Sequence, residues 1–449
     1  MKSILSLTHD NVLKIDLYEL TMAAGYFQNH VNALATFELS CHTIPPERSF
    51  LICCGLQQII EYILNLRFSD EDIAFLKELP AFRFVQPDFF DYLKRFQFTG
   101  DVWAMPEGEI FFAKEPVIQV AAPLIEAQIL ETYLLSIMNI ESLVATKAAR
   151  VVHAAGVDGM KRLVVDFGTR RAHGPEAGIL AARAAYISGC MGTSNVYAGR
   201  RFGIPIFGTM AHSWVESFDR EEESFQKYYE VFPQSTVLLI DTYDTLDGAK
   251  KAARLNQDIK GVRIDSGNLM RLSRQVRRIL DQHHRPEVKI IVSGNLNEYK
   301  IYDLVQARAP IDMFGVGTEM VVSRDHPALD LTYKLVQIEK TGYKVQYKAK
   351  HSQGKKTIPA RKQVYRSFTK EGKMRQDTLS LFSETPLKDA QPLLHPVLAQ
   401  GKLVAELPAL KDIRAFALER LRTLPEACLE LKSSQPLKVR LSDRLLKNM

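Results

Sequence analysis

Short apolar runs rich in β-branched residues recur through the middle of the chain, and amphipathic stretches separate them. The runs cover residues 163–165, 204–207, 237–240, 262–264, 288–292 and 311–314. Between the fourth and fifth runs, one face of a helix carries Leu269, Leu272, Val276, Ile279 and Leu280. Strands that alternate with helices are typical of βαβ units, so the pattern predicts an α/β fold with a parallel sheet or barrel here.

The segments on either side of this repeat have different patterns. Residues 1–130 mix helices and strands, and 334–366 have the pattern of strands with basic turns. A helix with Asp16 as its cap is predicted at 16–27. Its apolar stripe consists of Leu17, Leu20, Ala24 and Phe27. Tyr18 lies about 100° from that stripe and should point sideways and outward. Beyond residue 385 the pattern is helical, with one face that carries Ile413, Phe416, Ala417 and Leu421.

Composition indicates the class of protein and its compartment. The 449 residues, 46% hydrophobic and 24% charged, predict a soluble globular protein of two or three domains. No apolar run reaches the ~20 residues of a membrane span, and the N-terminus lacks a signal-peptide pattern. The five cysteines are scattered without a CxxC pair, which argues against disulfides or zinc and favours the cytoplasm. The net charge of +6 predicts a slightly basic surface, without a motif for nucleic acid.

Polar or glycine residues follow every predicted strand of the repeat. These strand ends are 166–171, 208–213, 241–244, 265–268, 293–295 and 315–318. The carboxyl ends of parallel strands converge on one face, where the active sites of barrel enzymes lie. Six such ends in succession therefore predict an active site.

Three glycine-bearing turns are candidates for holding phosphate. They are 192–195, 293–295 and 315–318, and none is a Walker or GxGxxG motif. Glycines allow backbone N–H groups to cradle phosphate oxygens, but ordinary strand-to-helix turns explain each of the three equally well. The last two follow late strands, where barrel enzymes tend to hold phosphate, and this favours the functional interpretation.

Acidic residues and one histidine at the strand ends are further candidates. Asp241, Asp244 and Asp265 suit a sugar diol, a magnesium ion or a histidine, while a helix cap explains Asp265 equally well. His212 suits a base, a metal ligand or a nucleophile. Since neither HxH nor HExxH spacing accompanies it, acid–base or nucleophilic work is favoured over a metal.

Two arginines and an aromatic residue follow the first strand. Arg170 and Arg171 suit phosphate or carboxylate oxygens, although a solvated pair is the ordinary explanation. Phe167, taken alone, fits a core residue better than a residue that stacks on a ligand.

With these motifs in this order, the sequence resembles the nicotinate phosphoribosyltransferase family. The resemblance is carried by residues 16–22 (Asp-Leu-Tyr-Glu-Leu-Thr-Met), 106–108 (Pro-Glu-Gly), 166–171 (Asp-Phe-Gly-Thr-Arg-Arg), 192–195 (Gly-Thr-Ser-Asn), 208–213, 241–245, 263–268, 293–295 and 315–318. These stretches are collinear over roughly residues 8–366, which chance does not easily supply. One departure is Pro359-Ala360, where the family usually has Pro-Gly, and it concerns a surface turn.

The resemblance implies a fold. An N-terminal α/β domain, 1–130, is completed by later strands from about 332–385. An irregular α/β barrel-like catalytic domain covers 131–331, and a helical C-terminal segment covers 386–449. Enzymes of this family work as homodimers with shared active sites.

The resemblance also implies a reaction. The phosphoribosyl group of 5-phosphoribosyl 1-pyrophosphate is transferred to the ring nitrogen of nicotinate, giving nicotinate mononucleotide and pyrophosphate for NAD salvage. ATP is a co-substrate, hydrolysed through a phosphorylated histidine. By resemblance this is His212, oriented by Asp241.

Binding roles follow from the resemblance on the donor side. Arg170, together with Mg²⁺, would hold pyrophosphate, and Asp265 would hold the ribose diol. The 5′-phosphate would be bound by Gly294, Gly317 and Thr318. The magnesium ligands stay unassigned.

Binding roles on the acceptor side follow in the same way. Phe167 and Tyr18 would sandwich the pyridine ring, with Tyr18 supplied by the other subunit. Arg263 and Ser213 would meet the carboxylate, and Thr209 is also expected to bind substrate.

Four other functions are alternatives to this one. Nicotinamide-using relatives carry an acid after Gly-Thr, where this chain has Ser194. Quinolinate-using enzymes would need a larger cluster of cations for two carboxylates. An aldolase or isomerase would need a lysine or a general base, and no strand end offers a lysine. A non-enzymatic relative should have lost His212, Asp265 or Arg170, and all three are present.

Overall fold

The computed structural model describes residues 12–31, 33–340, 344–352, 355–404, 406–433 and 435–448. The chain divides into two compact units. The first joins Met1–Leu143 to Ala328–Met449, and the second consists of Val144–Pro327. The chain therefore leaves the first unit once, forms the second, and returns.

The N-terminal part of the first unit mixes helices and strands, as predicted. Its helices are α1 (Leu17–Gln28), α2 (Leu56–Asn65), α3 (Asp70–Glu78), α4 (Pro87–Lys94) and α5 (Leu124–Gln128), and α6 (Glu131–Ala155) continues into the second unit. Its strands are β1 (Leu34–Cys41), β2 (Leu51–Ile52), β3 (Asp101–Ala104), β4 (Ile110–Phe111) and β5 (Pro116–Pro123).

The second unit alternates strands and helices. Its strands are β6 (Leu163–Asp166), β7 (Gly192–Thr193), β8 (Val237–Leu239), β9 (Gly261–Ile264), β10 (Lys289–Val292) and β11 (Met313–Val316). Its helices are α7 (Pro175–Ile187), α8 (Val196–Phe202), α9 (His212–Glu216), α10 (Glu221–Val231), α11 (Thr245–Arg254), α12 (Leu269–Gln282), α13 (Glu298–Gln306) and α14 (Thr318–Val321).

These six strands follow the order of an open barrel. They form one sheet in the order β7-β6-β11-β10-β9-β8, and Ile206 adds a parallel bridge to Thr193 beyond β7. All the pairings are parallel. From β8 to β11, then through β6 and β7 to Ile206, each strand lies beside the next, and no pairing between Ile206 and β8 occurs within Val144–Pro327. The irregular barrel-like fold is thereby confirmed.

Two details of the barrel differ from the sequence pattern. The predicted strand at 204–207 is reduced to the bridge at Ile206, and Gly192–Thr193 forms a strand that the pattern did not predict. Pro205 cannot donate a ladder hydrogen bond, which limits pairing in that run. A strand of glycine and threonine carries almost no apolar signal.

The returning part of the chain adds mostly strands to the first unit. They are β12 (Leu331–Glu339), β13 (Gln346–Tyr347), β14 (His351–Ser352), β15 (Lys355–Lys356), β16 (Lys362–Phe368), β17 (Met374–Leu381), β18 (Ala390–Pro392), β19 (His395–Ala399), β20 (Lys402–Leu403) and β21 (Val439–Leu441). The helices are α15 (Leu410–Thr423), α16 (Glu426–Leu429) and α17 (Asp443–Leu446). The C-terminal segment is thus helical in α15, where Ile413 and Ala417 are buried as predicted, and also contains short strands.

Later strands complete the N-terminal sheet, as the resemblance implied. The seven-stranded sheet has the order β13-β12-β1-β5-β3-β19-β20, with β12 antiparallel to β1 and β19 antiparallel to β3. Buried ion pairs hold the returning part of the chain against the N-terminal part of the same unit. Lys362 Nζ lies 2.7 Å from a Glu38 oxygen, and Arg366 lies 2.6 Å from Asp377 and 2.7 Å from Glu109. Removing one partner of such a pair is strongly destabilising because it leaves a buried charge uncompensated.

Helix α1 buries part of the predicted stripe, but its buried face is shifted toward Glu19 and Ala23. The buried residues are Glu19, Leu20, Ala23 and Ala24, while Leu17 is 52% exposed, so its predicted burial is wrong. Asp16 takes the cap position without a side-chain hydrogen bond. The cause lies in Glu19, whose carboxylate accepts hydrogen bonds from the Thr132 N–H (3.0 Å) and from the Thr132 hydroxyl. Tyr18 points outward as predicted and is 43% exposed.

One helical stretch is long and apolar enough to cross a membrane when judged by length and composition alone. It is Leu124–Ala155, with a mean hydropathy of 1.2 over its most apolar window, and 67% of that window is buried inside the protein. The core helix of a soluble protein passes the same test, and a window that is mostly buried is typical of such a core helix.

Candidate active site at the carboxyl ends of the barrel strands

The turn after β6 is built on Asp166. One oxygen of its buried carboxylate accepts a hydrogen bond from the Gly168 N–H (2.8 Å), and the other accepts from the Thr193 hydroxyl (2.7 Å). Burial raises the pKa of Asp166, and these two hydrogen bonds oppose that rise. The carboxylate therefore ties β7 to the turn that carries Phe167 and Arg170.

Phe167 lies over a glycine of the neighbouring strand. A Cβ on Gly315 would come within 2.4 Å of the Phe167 ring, so only glycine leaves room for the ring there. The Phe167 N–H donates to the Val316 carbonyl (2.8 Å), and the side chain is half-buried. Phe167, Gly208 and Thr209 line one cavity of about 780 Å³. An aromatic face is therefore presented to a cavity at the strand ends, and Phe167 is not a core residue.

Arg263, on β9, contacts a residue that lines this cavity and lies near the acidic residues of the site. Its guanidinium donates a hydrogen bond to the Thr209 hydroxyl. Burial lowers the pKa of Arg263, the carboxylates of Asp265 and Asp241 raise it, and the charge of Arg170 lowers it further. Two guanidinium groups and two carboxylates are thus close enough to influence one another.

The two aspartates have different partners. The Ser293 hydroxyl donates to the carboxylate of Asp265. The carboxylate of Asp241 accepts from the Asp265 N–H (3.0 Å) and from the Ser266 hydroxyl (2.6 Å), while its other oxygen is buried and accepts no hydrogen bond from the described residues. Asp241 therefore holds the backbone of the turn that presents Asp265.

Helix caps do not explain Asp265. The cap of α12 is Asn268, whose side chain accepts from the Arg271 N–H (3.0 Å). Asp244, by contrast, caps α11 and accepts from the Asp247 N–H (2.8 Å). Of the carboxylates named from the sequence, Asp244 therefore has the ordinary role, and Asp241 and Asp265 belong to the site.

His212 is the first residue of α9, and its partner is a threonine. The His212 Nδ1 lies 3.2 Å from the Thr242 hydroxyl. Because Asp241 bonds to the Asp265 turn instead, the contacts do not support the prediction that Asp241 orients His212. Ser213 follows His212 on the same helix and is exposed.

The three glycine turns separate into two kinds. At Gly192 a Cβ would lie 2.2 Å from the Pro205 carbonyl, and Asn195 caps α8 by accepting from the Ala198 N–H (2.8 Å), so this turn is structural. Gly294 has φ +90°, and a Cβ there would lie 2.0 Å from the Asp265 carbonyl. Gly317 and Thr318 begin α14 directly after β11.

The barrel unit thus brings eleven predicted residues to the ends of its strands. They are Phe167, Arg170, Thr209, His212, Ser213, Asp241, Arg263, Asp265, Gly294, Gly317 and Thr318. Tyr18 lies in the first unit, on α1, where its pKa is raised by burial and by the neighbouring Glu131. The supporting residues Asp166, Thr193, Thr242 and Ser293 were not predicted, although each stands inside or beside a predicted motif.

An open α/β barrel with guanidinium groups, carboxylates and glycine turns at its strand ends is an enzyme scaffold for an anionic, phosphate-bearing substrate. Three family models specify the class further. The nicotinate phosphoribosyltransferase N-terminal domain matches residues 13–139, the nicotinate phosphoribosyltransferase family matches 163–379, and its C-terminal domain matches 385–449. The chain belongs to the nicotinate phosphoribosyltransferase family.

Individual relatives extend this likeness over nearly the whole chain. The chain is 42% identical to nicotinate phosphoribosyltransferase pncB2 of Mycobacterium tuberculosis, covering 98% of this chain and 93% of the relative. It is 36% identical to the nicotinate phosphoribosyltransferase of Bacillus subtilis, covering 96% and 93%. The crystal structure of human nicotinic acid phosphoribosyltransferase superposes with a TM-score of 0.84 at 28% identity, covering 96% of this chain and 98% of that one.

A structure with a different name is also similar. The nicotinate-nucleotide pyrophosphorylase of Pyrococcus furiosus superposes with a TM-score of 0.76 at 26% identity, covering 93% of this chain and 98% of that one.

Proposed function

We propose that this chain transfers the phosphoribosyl group of 5-phosphoribosyl 1-pyrophosphate to the ring nitrogen of nicotinate, with ATP hydrolysis through a phosphohistidine at His212. Nicotinate mononucleotide and pyrophosphate are the products, and the reaction is an entry to NAD salvage in the cytoplasm. One observation carries the choice of acceptor. Phe167 and Thr209 line the same cavity, and Thr209 is hydrogen-bonded to Arg263. A flat ring that bears one carboxylate suits this combination of an aromatic face and a cation.

The transfer step needs charge stabilisation and no general base. The pyridine nitrogen attacks with its own lone pair, while pyrophosphate leaves and the ribose acquires oxocarbenium character. Arg170 is assigned to the departing pyrophosphate and Asp265 to the ribose hydroxyls. Gly294, Gly317 and Thr318 are assigned to the 5′-phosphate, because backbone N–H groups at glycine turns bind phosphate oxygens.

Magnesium fits the donor set of this site. Mg²⁺ prefers carboxylate and phosphate oxygens, and Asp241 and Asp265 offer carboxylates beside the proposed pyrophosphate position. The buried Asp241 oxygen that accepts no hydrogen bond within the described part of the chain is one such donor. The ion would neutralise charge on the leaving pyrophosphate.

His212 is proposed as the phosphate acceptor from ATP. It stands at the start of α9 with one ring nitrogen facing the Thr242 hydroxyl. That contact fixes the ring and directs the other nitrogen elsewhere, which suits a nucleophile. Since the pyridine nitrogen needs no base, the histidine is available for energy coupling.

A homodimer is proposed to complete the site through Tyr18. On α1, Leu17 is 52% exposed, Tyr18 43% and Met22 37%. Three exposed large side chains within six residues form an apolar surface that a second copy would cover. Tyr18 of one copy would then stack on the pyridine bound at Phe167 of the other.

The test offers nicotinate, nicotinamide and quinolinate in turn with phosphoribosyl pyrophosphate, with and without ATP. We expect nicotinate to be preferred over nicotinamide at least tenfold in kcat/KM, since losing one charge-assisted contact costs about 2 kcal/mol. Stimulation by ATP is expected with nicotinate only. Equal efficiency with nicotinamide, or decarboxylation of quinolinate, would refute the proposed acceptor.

A further inference from the structure

The interior of the barrel unit contains a cavity that follows the strands from one end to the other. At the carboxyl ends its lining includes Phe167, Gly208 and Thr209, which belong to the candidate active site. At the amino ends its lining includes Lys161, Lys260 and Lys289. The cavity of about 780 Å³ therefore joins the site to the opposite face of the barrel.

The wall between these two ends is apolar. It is formed by Leu163, Met191, Ile206, Val237, Ile291 and Met313. Barrel interiors are normally filled by layers of such side chains, which pack against one another and exclude water. Here the wall residues Leu163, Met191, Val237 and Met313 are only partly buried, although they lie in or next to the strands of the ring. Keeping apolar side chains in contact with water is unfavourable, so an open interior points to a use for the space.

The rim at the amino ends of the strands is cationic. Lys161 stands two residues before β6, Lys260 immediately before β9, and Lys289 at the first position of β10. Asp312, immediately before β11, is the acid among the lining residues and lies 3.3 Å from Lys289. Lys260 lies 2.6 Å from Asp258, which is not part of the lining. With Asp258 counted, the three lysines against two acids leave a net charge of +1 on the rim, and Lys161 is its lysine outside these two ion pairs.

We propose that this cavity is the entry channel for the pyridine carboxylate, which reaches Phe167 from the amino ends of the strands. The inference rests on the proposed function, and it assigns the acceptor a route separate from that of phosphoribosyl pyrophosphate. The acceptor would pass the lysine rim, cross the apolar wall and arrive at the ring face of Phe167. Arg263, bonded to Thr209 at the inner end, would then meet its carboxylate.

The chemistry of the channel selects between the two substrates. A cationic rim attracts any anion and raises its local concentration at the mouth. The apolar wall then favours a flat ring with one carboxylate. A polyanion such as phosphoribosyl pyrophosphate would lose its hydration along that wall without hydrogen bonds in return, which is costly. Phosphoribosyl pyrophosphate therefore binds from the polar carboxyl ends of the strands and does not enter the channel.

A charge-reversal pair tests the rim. In the variant Lys161→Glu/Lys260→Glu, kcat/KM for nicotinate should fall about tenfold at about 10 mM salt, and the loss should fade at about 1 M salt, where charges are screened within about 3 Å. The kcat and the KM for phosphoribosyl pyrophosphate should stay unchanged. The matched control is Lys227→Glu/Lys250→Glu, two exposed lysines on α10 and α11 of the same unit. Equal losses in both pairs would overturn the proposal.

A steric block tests the wall. Val237→Trp places a large ring in the channel, and Val231→Trp places the same ring on an exposed position of α10 as control. The first should lower kcat/KM for nicotinate at least tenfold at every salt concentration while binding of phosphoribosyl pyrophosphate is retained. If Val237→Trp does not fold, the exposed lysine pair still decides the matter. Wild-type protein that fails to transfer to nicotinate would refute the proposed function. Active wild type with rim and block variants like their controls would refute the channel alone.

Discussion

Replacing Asp241 by asparagine separates two roles that the site could give this residue. The family resemblance makes Asp241 the partner of His212, whereas in the structure its carboxylate accepts from the Asp265 N–H at 3.0 Å and the Ser266 hydroxyl at 2.6 Å. Asp241→Asn keeps the shape of the side chain and removes its charge. We expect phosphoribosyl transfer to suffer and ATP hydrolysis to survive.

The size of the effect follows from these contacts. Hydrogen bonds to a charged acceptor contribute about 1.5–3 kcal/mol and neutral ones about 0.5–1.5, so each of the two bonds weakens by about 1 kcal/mol. The two weakened bonds alone should lower kcat/KM for phosphoribosyl pyrophosphate by about 2 kcal/mol, or about 30-fold, and the loss of a carboxylate from the proposed magnesium site adds to that effect. Ser266→Ala removes one of the two bonds and should give a smaller loss of the same kind.

Two assays on the same preparations distinguish the roles. Transfer to nicotinate is measured without ATP, and ATP hydrolysis is measured without the other substrates. Thr242→Val, which removes the hydroxyl 3.2 Å from the His212 ring, should show the opposite pattern, with ATP hydrolysis impaired and transfer retained. His212→Ala should abolish hydrolysis and leave slow transfer. An Asp241→Asn variant that loses ATP hydrolysis as His212→Ala does, with normal transfer, would refute this reasoning.

Three further predictions concern the subunit boundary, a glycine turn and a buried acid. Mixing inactive Tyr18→Ala and Asp265→Ala variants under subunit exchange should restore part of the activity, because one site of a mixed dimer keeps both residues; activity at the sum of the parents would contradict this. Gly294→Ala should weaken phosphoribosyl pyrophosphate binding at least tenfold in a titration, since its Cβ would lie 2.0 Å from the Asp265 carbonyl, whereas Gly203→Ala, with a similar positive φ and open space, should not. Burial raises the pKa of Glu19 from 4.5 to about 7, so the folded state favours the protonated carboxyl. The folded protein therefore loses stability as the pH rises from 4.5 through 7, because the buried carboxyl has to ionise. Glu19→Gln should remove that fall, worth about 3 kcal/mol in unfolding free energy, and parallel pH profiles of the two proteins would contradict this assignment.

The sequence predicts those parts of the fold that depend on repeated apolar spacing. Leu272, Val276 and Leu280 are buried on α12, as the helical pattern required. Prediction failed where one polar contact outweighed the pattern. Leu17 is apolar yet exposed, because Glu19 turns inward to meet Thr132 and rotates α1 with it. A carboxylate at a buried position gives no periodic signal, so this rotation could not be derived from spacing.

In the site, too, the position of the residues could be predicted from the sequence, whereas their individual contacts could not. Strand ends placed His212, Asp241 and Asp265 on one face of the barrel, since that depends only on strand direction. Which of them touch depends on the backbone of each turn. Gly294 brings its turn against the Asp265 carbonyl, closer than any side chain would allow, and the Asp265 N–H is taken up by Asp241. The His212 ring contacts Thr242, the residue that follows Asp241 in the turn after β8. A motif that is shared across a family thus fixes which groups meet at the strand ends. The hydrogen-bond partner of each carboxylate is decided by the geometry of its turn. The partner of His212 therefore has to be established in each chain separately.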